Sequence, residues 1–186
     1  PCTTCDVTKS TQKKLTSDRV KRASLPLWRI HADFGFMHKL VFVLFVDDKS
    51  RKSWVAFLKK KSFWLEAFKQ LKRQLENEKQ PLKIAKFSTD SEPVFINNLE
   101  AMSYFKGVGI EQEKSPPYRH DGNGVVERKM RSIGEGARAM MAYGAAPEEE
   151  AKWAIRHSVV CENSMPTKAN KAMASPNSTW EGVHIP

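Results

Sequence analysis

Leu40-Val41-Phe42-Val43-Leu44-Phe45-Val46 is a run of seven apolar residues, and it follows Trp28-Arg29-Ile30-His31-Ala32-Asp33-Phe34, in which apolar and polar side chains alternate. An unbroken apolar run of strand length suits a strand covered on both faces, whereas strict alternation marks a strand with one apolar and one polar face. The pair therefore predicts a central buried strand next to one whose polar face carries Arg29, His31 and Asp33. Asp47-Asp48-Lys49-Ser50-Arg51-Lys52 supplies turn chemistry before a third apolar run, Trp54 to Leu58, so the three strands read as an antiparallel meander. Asp47 and Asp48 are expected to be hairpin-turn acids, needing no role in catalysis.

Beyond the meander the period changes from strand to helix. Trp64, Phe68, Leu71 and Leu75 recur at helical spacing, with Ser62 as the expected cap. Leu82 to Thr89 is expected to be a short strand ending at Asp90. A weaker helical pattern follows from Phe95 to Phe105, then a short strand around Ile110. The stretch Ser115 to Gly124 holds two prolines and two glycines and is expected to be a loop. Val126, Met130, Ile133, Ala137 and Met140 form the apolar stripe of a long helix, with Glu127, Arg131 and Arg138 on another face. Gly134 and Gly136 weaken that helix by about 1 kcal/mol each relative to alanine. A last helix is expected from Pro147 to about Cys161, then a tail containing proline and serine.

The chain has 186 residues, 40% hydrophobic and 28% charged, an ordinary globular balance that fits one domain with a short appendage. Lysine and arginine total 31 against 21 acids, a net charge of +10 with a pI near 9.6. That excess favours a polyanionic partner. The apolar run Leu40 to Val46 is far too short to span a bilayer, so nucleic acid is the expected partner and no membrane is expected. Three cysteines (Cys2, Cys5, Cys161) cannot pair completely, which suits a reducing intracellular compartment. Because the first residue is Pro1, the chain is expected to be part of a longer polyprotein. Residues 8–22 carry six basic residues against the acid Asp18 and read as a linker or arm.

Three acids stand apart from those on helix surfaces and turns: Asp33 on a strand face, Asp90 at a strand end and Glu127 at a helix start behind a glycine-containing loop. Hard divalent cations take carboxylate oxygens, and phosphodiester chemistry needs such cations to neutralise developing charge and activate the attacking oxygen. The three are therefore candidate metal ligands and catalytic residues.

The stretches His31-Ala32-Asp33, VFVLFVDDKSRKSWVAFLKKKS, Ser88-Thr89-Asp90 and SPPYRHDGNGVVERKMRS, with 36 residues between Asp90 and Glu127, resemble the integrase core of copia-type long-terminal-repeat retrotransposons. The resemblance runs from about Leu25 to Gly182 and takes in Met165-Pro166-Thr167-Lys168, Ser175-Pro176 and Trp180. It implies an α/β, RNase H-like fold with a five-stranded mixed sheet flanked by helices. It further implies a divalent-metal-dependent polynucleotidyl transferase in which Asp33, Asp90 and Glu127 hold two magnesium or manganese ions. Such an enzyme joins the 3′ ends of element DNA to target DNA, as a homo-oligomer, in the nucleus at the time of integration. The domain division it suggests is a zinc-module remnant and basic linker over residues 1–24 and the catalytic core over residues 25–186.

The resemblance also assigns DNA contacts to Tyr118 and Asn123 in the loop, while Arg128, Lys129 and Arg131, within about one helical turn of Glu127, read as phosphate ligands. Cys2-Thr3-Thr4-Cys5 is similar to the second half of the family's His, His, Cys, Cys zinc module. Two cysteines supply half of the four ligands zinc takes, so Cys2 and Cys5 are a partial site, complete only in a longer chain. The chain departs from the family pattern at Ser91-Glu92-Pro93-Val94, where glycines are usual, and at Met130, where asparagine is usual. These losses keep open an alternative: a catalytically decayed, basic nucleic-acid-binding module on the same fold.

Overall fold

In a computed structural model that describes residues 21–114 and 123–182, the two quoted stretches become neighbouring strands. β1 (Arg29–Met37), β2 (Leu40–Asp47) and β3 (Ser53–Leu58) form the expected antiparallel meander. His38 and Lys39 make the β1–β2 turn, and His38 takes the left-handed φ of 51° that such two-residue turns require. β2 is buried from Phe42 to Asp47, as its unbroken apolar run demands.

β4 (Lys86–Thr89) lies parallel to β1 on its other side, and β5 (Glu111–Lys114) parallel to β4, giving a mixed sheet in the order β3-β2-β1-β4-β5. The expected strand from Leu82 shrinks to its last four residues. The connection from β3 to β4 runs through α1 (Trp64–Glu78), which buries Trp64, Leu65, Phe68 and Leu75. Ser62 does not cap it: a short 3-10 turn over Lys61–Phe63 already winds the chain, with Phe63 N donating to Lys60 O at 3.1 Å.

α2 (Pro93–Ile96) and α3 (Leu99–Val108) divide what the sequence suggests as one weak helix, because Asn98 caps α3 by accepting from Ala101 N at 3.0 Å. Gly109, at φ 73°, ends α3. α4 (Gly124–Tyr143) and α5 (Ala151–Ser164) are the two long C-terminal helices. The expected tail instead folds into α6 (Pro176–Glu181), capped by Ser175 with Pro176 opening the helix. Trp180 of α6 is fully buried, edge-on to Trp54 at 5.1 Å, and donates Nε1–H to Glu78 at 2.6 Å.

Two cores result, one on each face of the sheet. The first joins Ile30, Ala32 and Phe34 to Trp64, Phe68, Phe87, Phe95 and Phe105, with Phe34 stacked on Phe95 at 4.4 Å. The second joins Phe42, Leu44 and Val46 to Val126, Ile133, Ala137 and Ile155. Each fully buried side chain of this size stabilises the fold by roughly 1.5–3 kcal/mol. Gly136 earns its place here, since a Cβ would sit 2.6 Å from Ser158 Oγ, whose hydroxyl donates to Ile133 O at 2.9 Å and pins α5 to α4.

Asp47 ends β2 and Asp48 opens its turn into β3, and both are buried. Asp47 accepts from Leu27 N (2.8 Å), Ser50 N (2.6 Å) and Ser50 Oγ (2.8 Å). Asp48 accepts from Ala23 N (2.7 Å) and pairs with Arg29 (3.1 Å) and Arg51 (2.7 Å). Arg22 reaches the carbonyls of Asp48, Lys49 and Ala169. The segment leading into β1 is thus tied to the β2–β3 turn by polar bonds, a role that a turn-like string of charges does not reveal.

Candidate metal and nucleic-acid site

The last pair in the β1–β4 register is Ala32 with Thr89. Asp33 and Asp90 are each the next residue, so both leave the β1–β4 ladder at the same level, where β4 stops and β1 continues paired only with β2. Asp33 is half-buried and accepts from the backbone N–H of Phe34 at 2.8 Å. Asp90 accepts from Glu92 N at 3.1 Å, a tight turn that leads into α2.

Glu127 stands in the first turn of α4, and its N–H donates to Asn123 O at 3.1 Å. Asp33, Glu127 and Arg131 line one cleft of about 330 Å³ with Met130 and Arg138. Burial raises the Asp33 carboxyl pKa to about 7; Asp90 is the next cause, the Phe34 N–H works the other way, and Glu127 and Glu92 push up further. The acids are therefore near enough to repel one another. Among the described residues no group of three His, Cys, Asp or Glu side chains is gathered tightly enough to hold a metal ion. The two aspartates share a level, and Glu127 is exposed on the cleft that Asp33 also lines.

The other expected contacts separate. Arg131 belongs to the acid cleft, whereas Arg128 and Lys129 line a second cleft of about 230 Å³ with Arg51, Ser132 and Thr167. Lys129 is paired with Glu162 of α5 at 3.1 Å. Asn123 is buried, its Nδ2 turns toward Ala32 O at 3.5 Å, and it sits between β1 and the start of α4. Tyr118, Cys2 and Cys5 lie outside the described residues. Cys161 is a half-buried free thiol.

Glu92 and Lys61 belong to this neighbourhood although sequence reasoning did not select them. Lys61 pairs with Glu92, and its ammonium lies 5.1 Å from the Phe34 ring and 4.9 Å from the Phe36 ring. The departure Ser91-Glu92-Pro93-Val94 thus places an additional acid beside the two aspartates. A signal was present in the unusual Glu92, but its partner lies 31 residues away. Met130, the other departure, packs over Gly35, where a Cβ would meet its sulfur at 2.7 Å and the Phe42 ring at 2.2 Å.

No protein-family model matches the chain. It is similar to the retrovirus-related Pol polyprotein from transposon RE1 of Arabidopsis thaliana, 30% identical over 172 residues, covering 89% of this chain and 11% of that polyprotein. The corresponding polyprotein from transposon TNT 1-94 of Nicotiana tabacum is 30% identical over 144 residues, covering 77% of this chain and 11% of its own length. The chain therefore spans about a tenth of these curated relatives. Among solved structures it is similar to the HTLV-2 integrase catalytic core domain in complex with magnesium, with a TM-score of 0.65 and 20% identity over 85% of this chain and 99% of that one. A simian T-cell lymphotropic virus intasome chain, solved in complex with PP2A regulatory subunit B56 gamma, gives a TM-score of 0.73 at 16% identity over 89% and 58%. The catalytic core domain of BIV integrase gives 0.61 at 19% identity over 83% and 94%.

Proposed function

Because this chain is homologous to a segment of the Pol polyproteins of plant copia-type transposons and has the RNase H-like fold of integrase catalytic cores, we propose that it is the core of a DNA integrase that transfers phosphoryl groups on DNA. The observation that carries this reading is the register of β1 and β4, which brings Asp33 and Asp90 to one level, with Asp33 lining a cleft it shares with Glu127.

An all-carboxylate donor set fits magnesium or manganese, which take oxygen ligands. Asp33, Asp90 and Glu127 would hold two such ions, with Glu127 brought inward from its exposed position. Bound there, the ions would activate the attacking water or hydroxyl and neutralise charge on the phosphate. Arg131 contributes a fixed cation in the same cleft, suited to a phosphate oxygen. Arg128 extends positive charge along α4 toward the second cleft, where DNA beyond the reacting phosphate would run. Lys61 compensates the charge that Glu92 adds beside Asp90.

Zinc would join through Cys2 and Cys5 only within a longer chain, and the division into residues 1–24 and 25–186 is proposed on the same kinship. Assembly into a homo-oligomer and action in the nucleus belong to this proposal too. No helix among the described residues is long and apolar enough to cross a membrane.

A second reading, a DNA-binding module without catalysis, is favoured by the absence of a gathered three-acid cluster among the described residues. Calorimetric titration of magnesium and manganese into the protein and into Asp33→Asn, Asp90→Asn and Glu127→Gln separates the two. Binding by the unaltered protein that all three variants lose supports the enzyme; DNA binding without any metal binding supports the module.

A further inference from the structure

The segment that leads into β1 reads Lys21-Arg22-Ala23-Ser24-Leu25, and the metal chemistry uses none of it. Ser24 is exposed, lies outside any helix or strand, and its hydroxyl has no recorded partner among the described residues. Two cations stand three and two residues before it, and Leu25 after it is 44% exposed. An enzyme that phosphorylates serine in an acidic groove selects this order, since carboxylates take the cations and an apolar pocket takes the next side chain. Ser62 also follows two lysines, Lys59 and Lys60, but it sits inside the helical turn Lys61–Phe63 that runs into α1. A groove built for an extended chain does not admit it.

Arg22, two residues before Ser24, is also a structural tie. Its Nε donates to Asp48 O at 3.0 Å, and its terminal nitrogens donate to Lys49 O, Ala169 O and, at 2.5 Å, Asn170 Oδ1. All four acceptors are uncharged, and together they join the β2–β3 turn to the connection between α5 and α6. A phosphate dianion is a much stronger guanidinium ligand than a carbonyl. Ser24 follows Ala23, whose N–H donates to Asp48 at 2.7 Å, so a phosphate on Ser24 arrives beside the residue whose carbonyl Arg22 holds. The Asp48 carboxylate opposes it little, being paired with Arg29 at 3.1 Å and Arg51 at 2.7 Å.

We propose that Ser24 is a phosphorylation site for a serine kinase that reads basic residues, and that the modified side chain draws Arg22 away from Ala169 and Asn170. In the transfer, Ser24 Oγ bonds to the γ-phosphorus of ATP, the bond from that phosphorus to the ADP oxygen breaks, and the hydroxyl proton passes to the kinase. The product carries about −1.5 to −2 charges and three strong acceptor oxygens. Ala169 lines the second cleft with Arg51, Arg128 and Lys129, so losing Arg22 loosens one wall of that cleft. Modification of the segment before the core thus reaches the basic surface of α4 through one arginine.

The test incubates the full chain with the catalytic subunit of cyclic-AMP-dependent protein kinase and magnesium ATP, beside a free peptide of residues 18–30. The unaltered protein and Ser62→Ala are expected to gain phosphate at Ser24, mapped by mass spectrometry; Ser24→Ala is expected to gain none in that segment and to keep its melting temperature. The N–H groups of Ala169 and Asn170 donate to Thr167 at 3.3 and 3.0 Å. Their hydrogen exchange is expected to rise roughly ten-fold on phosphorylation, the scale of one hydrogen bond to a charged group, and to stay unchanged in kinase-treated Ser24→Ala. If Ser24 stays unmodified in the folded protein, whether or not the peptide is labelled, the site is overturned. If Ser24 is phosphorylated and the exchange does not change, Arg22 has kept its carbonyls and the release is overturned. Neither result bears on the integrase reading, which metal titration tests separately.

Discussion

Arg29 and Asp48 meet at 3.1 Å with both side chains buried, four residues along β1 from Asp33. Arg29 also pairs with Glu113 of β5 at 2.7 Å, and Glu113 with Lys86 of β4 at 2.8 Å. His31 Nε2 lies 3.3 Å from Asp48 Oδ1. One connected set of charges therefore runs from the β2–β3 turn beneath the site strand to the far edge of the sheet.

Removing one member of such a set strands the others. Asp48→Ala is expected to destabilise the protein by about 3 kcal/mol, because buried Arg29 would keep only Glu113 as a carboxylate partner and the buried Ala23 N–H would lose its acceptor. Urea unfolding followed by tryptophan fluorescence measures this. A loss under 1 kcal/mol would mean that water replaces Asp48 and that the set is not a structural unit.

Asp48 also sets an acid limit. Burial works to raise its carboxyl, but hydrogen bonds and charge from His31, the Ala23 N–H and Arg51 hold it well below the usual carboxylate range. A depressed folded value stabilises the fold above the unfolded value near 3.8, and the gain is lost as pH falls toward the folded value. The melting temperature should therefore fall from about pH 4 downward, and Asp48→Asn should flatten that fall while melting lower at pH 7.

Asp33 has the opposite sign. Its folded value of about 7 lies above the ordinary 3.8, so stability declines as pH rises from about 4 to about 7 and stays low beyond it. Asp33→Asn removes that titration and keeps an oxygen for the Phe34 N–H. Without divalent ions the variant should match the unaltered protein below pH 4 and be more stable at pH 8 by on the order of 1–2 kcal/mol, discounted because the group remains partly exposed. Magnesium should reverse the order by stabilising only the unaltered protein. Scanning calorimetry across this range, with and without magnesium, reads both effects.

The meander was legible because its signal is local: alternation and an unbroken apolar run each lie within a few residues. The paired aspartates were legible only as candidates, since the parallel register that levels Asp33 with Asp90 joins residues 57 apart in the chain. The burial of Asp47 and Asp48 was not legible, because a run of charges near Ser50 reads as a turn whether water or Arg29 lies next to it. Nothing local shows that Asn123 turns toward Ala32. Helix α6 was missed because six residues carry too little periodicity, although Ser175, Pro176 and Trp180 were the cap, first turn and anchor.

Gly35 should resist any side chain. A Cβ there would lie 2.2 Å from the Phe42 ring and 2.7 Å from the Met130 sulfur, and overfilling of this kind costs roughly 1–3 kcal/mol. Gly35→Ala is expected to lower stability by that amount and also to weaken DNA binding through the displaced cleft floor. Met130→Ala in the same chain should recover part of the stability, which a double-mutant cycle measures.

The cations of α4 should divide by their partners. Each lysine or arginine that contacts a phosphate contributes about 0.9 to the slope of log affinity against log salt. Arg131 lines the acid cleft and Arg128 the second cleft, and no ion pair is recorded for either among the described residues, whereas Lys129 is paired with Glu162 at 3.1 Å. Arg131→Ala and Arg128→Ala should each reduce the slope by nearly one unit, and Lys129→Ala by much less. Fluorescence anisotropy with a blunt duplex between about 50 and 200 mM salt provides the slopes. Equal reductions for all three would mean that DNA draws Lys129 away from Glu162, and α5 would then loosen from α4 on binding.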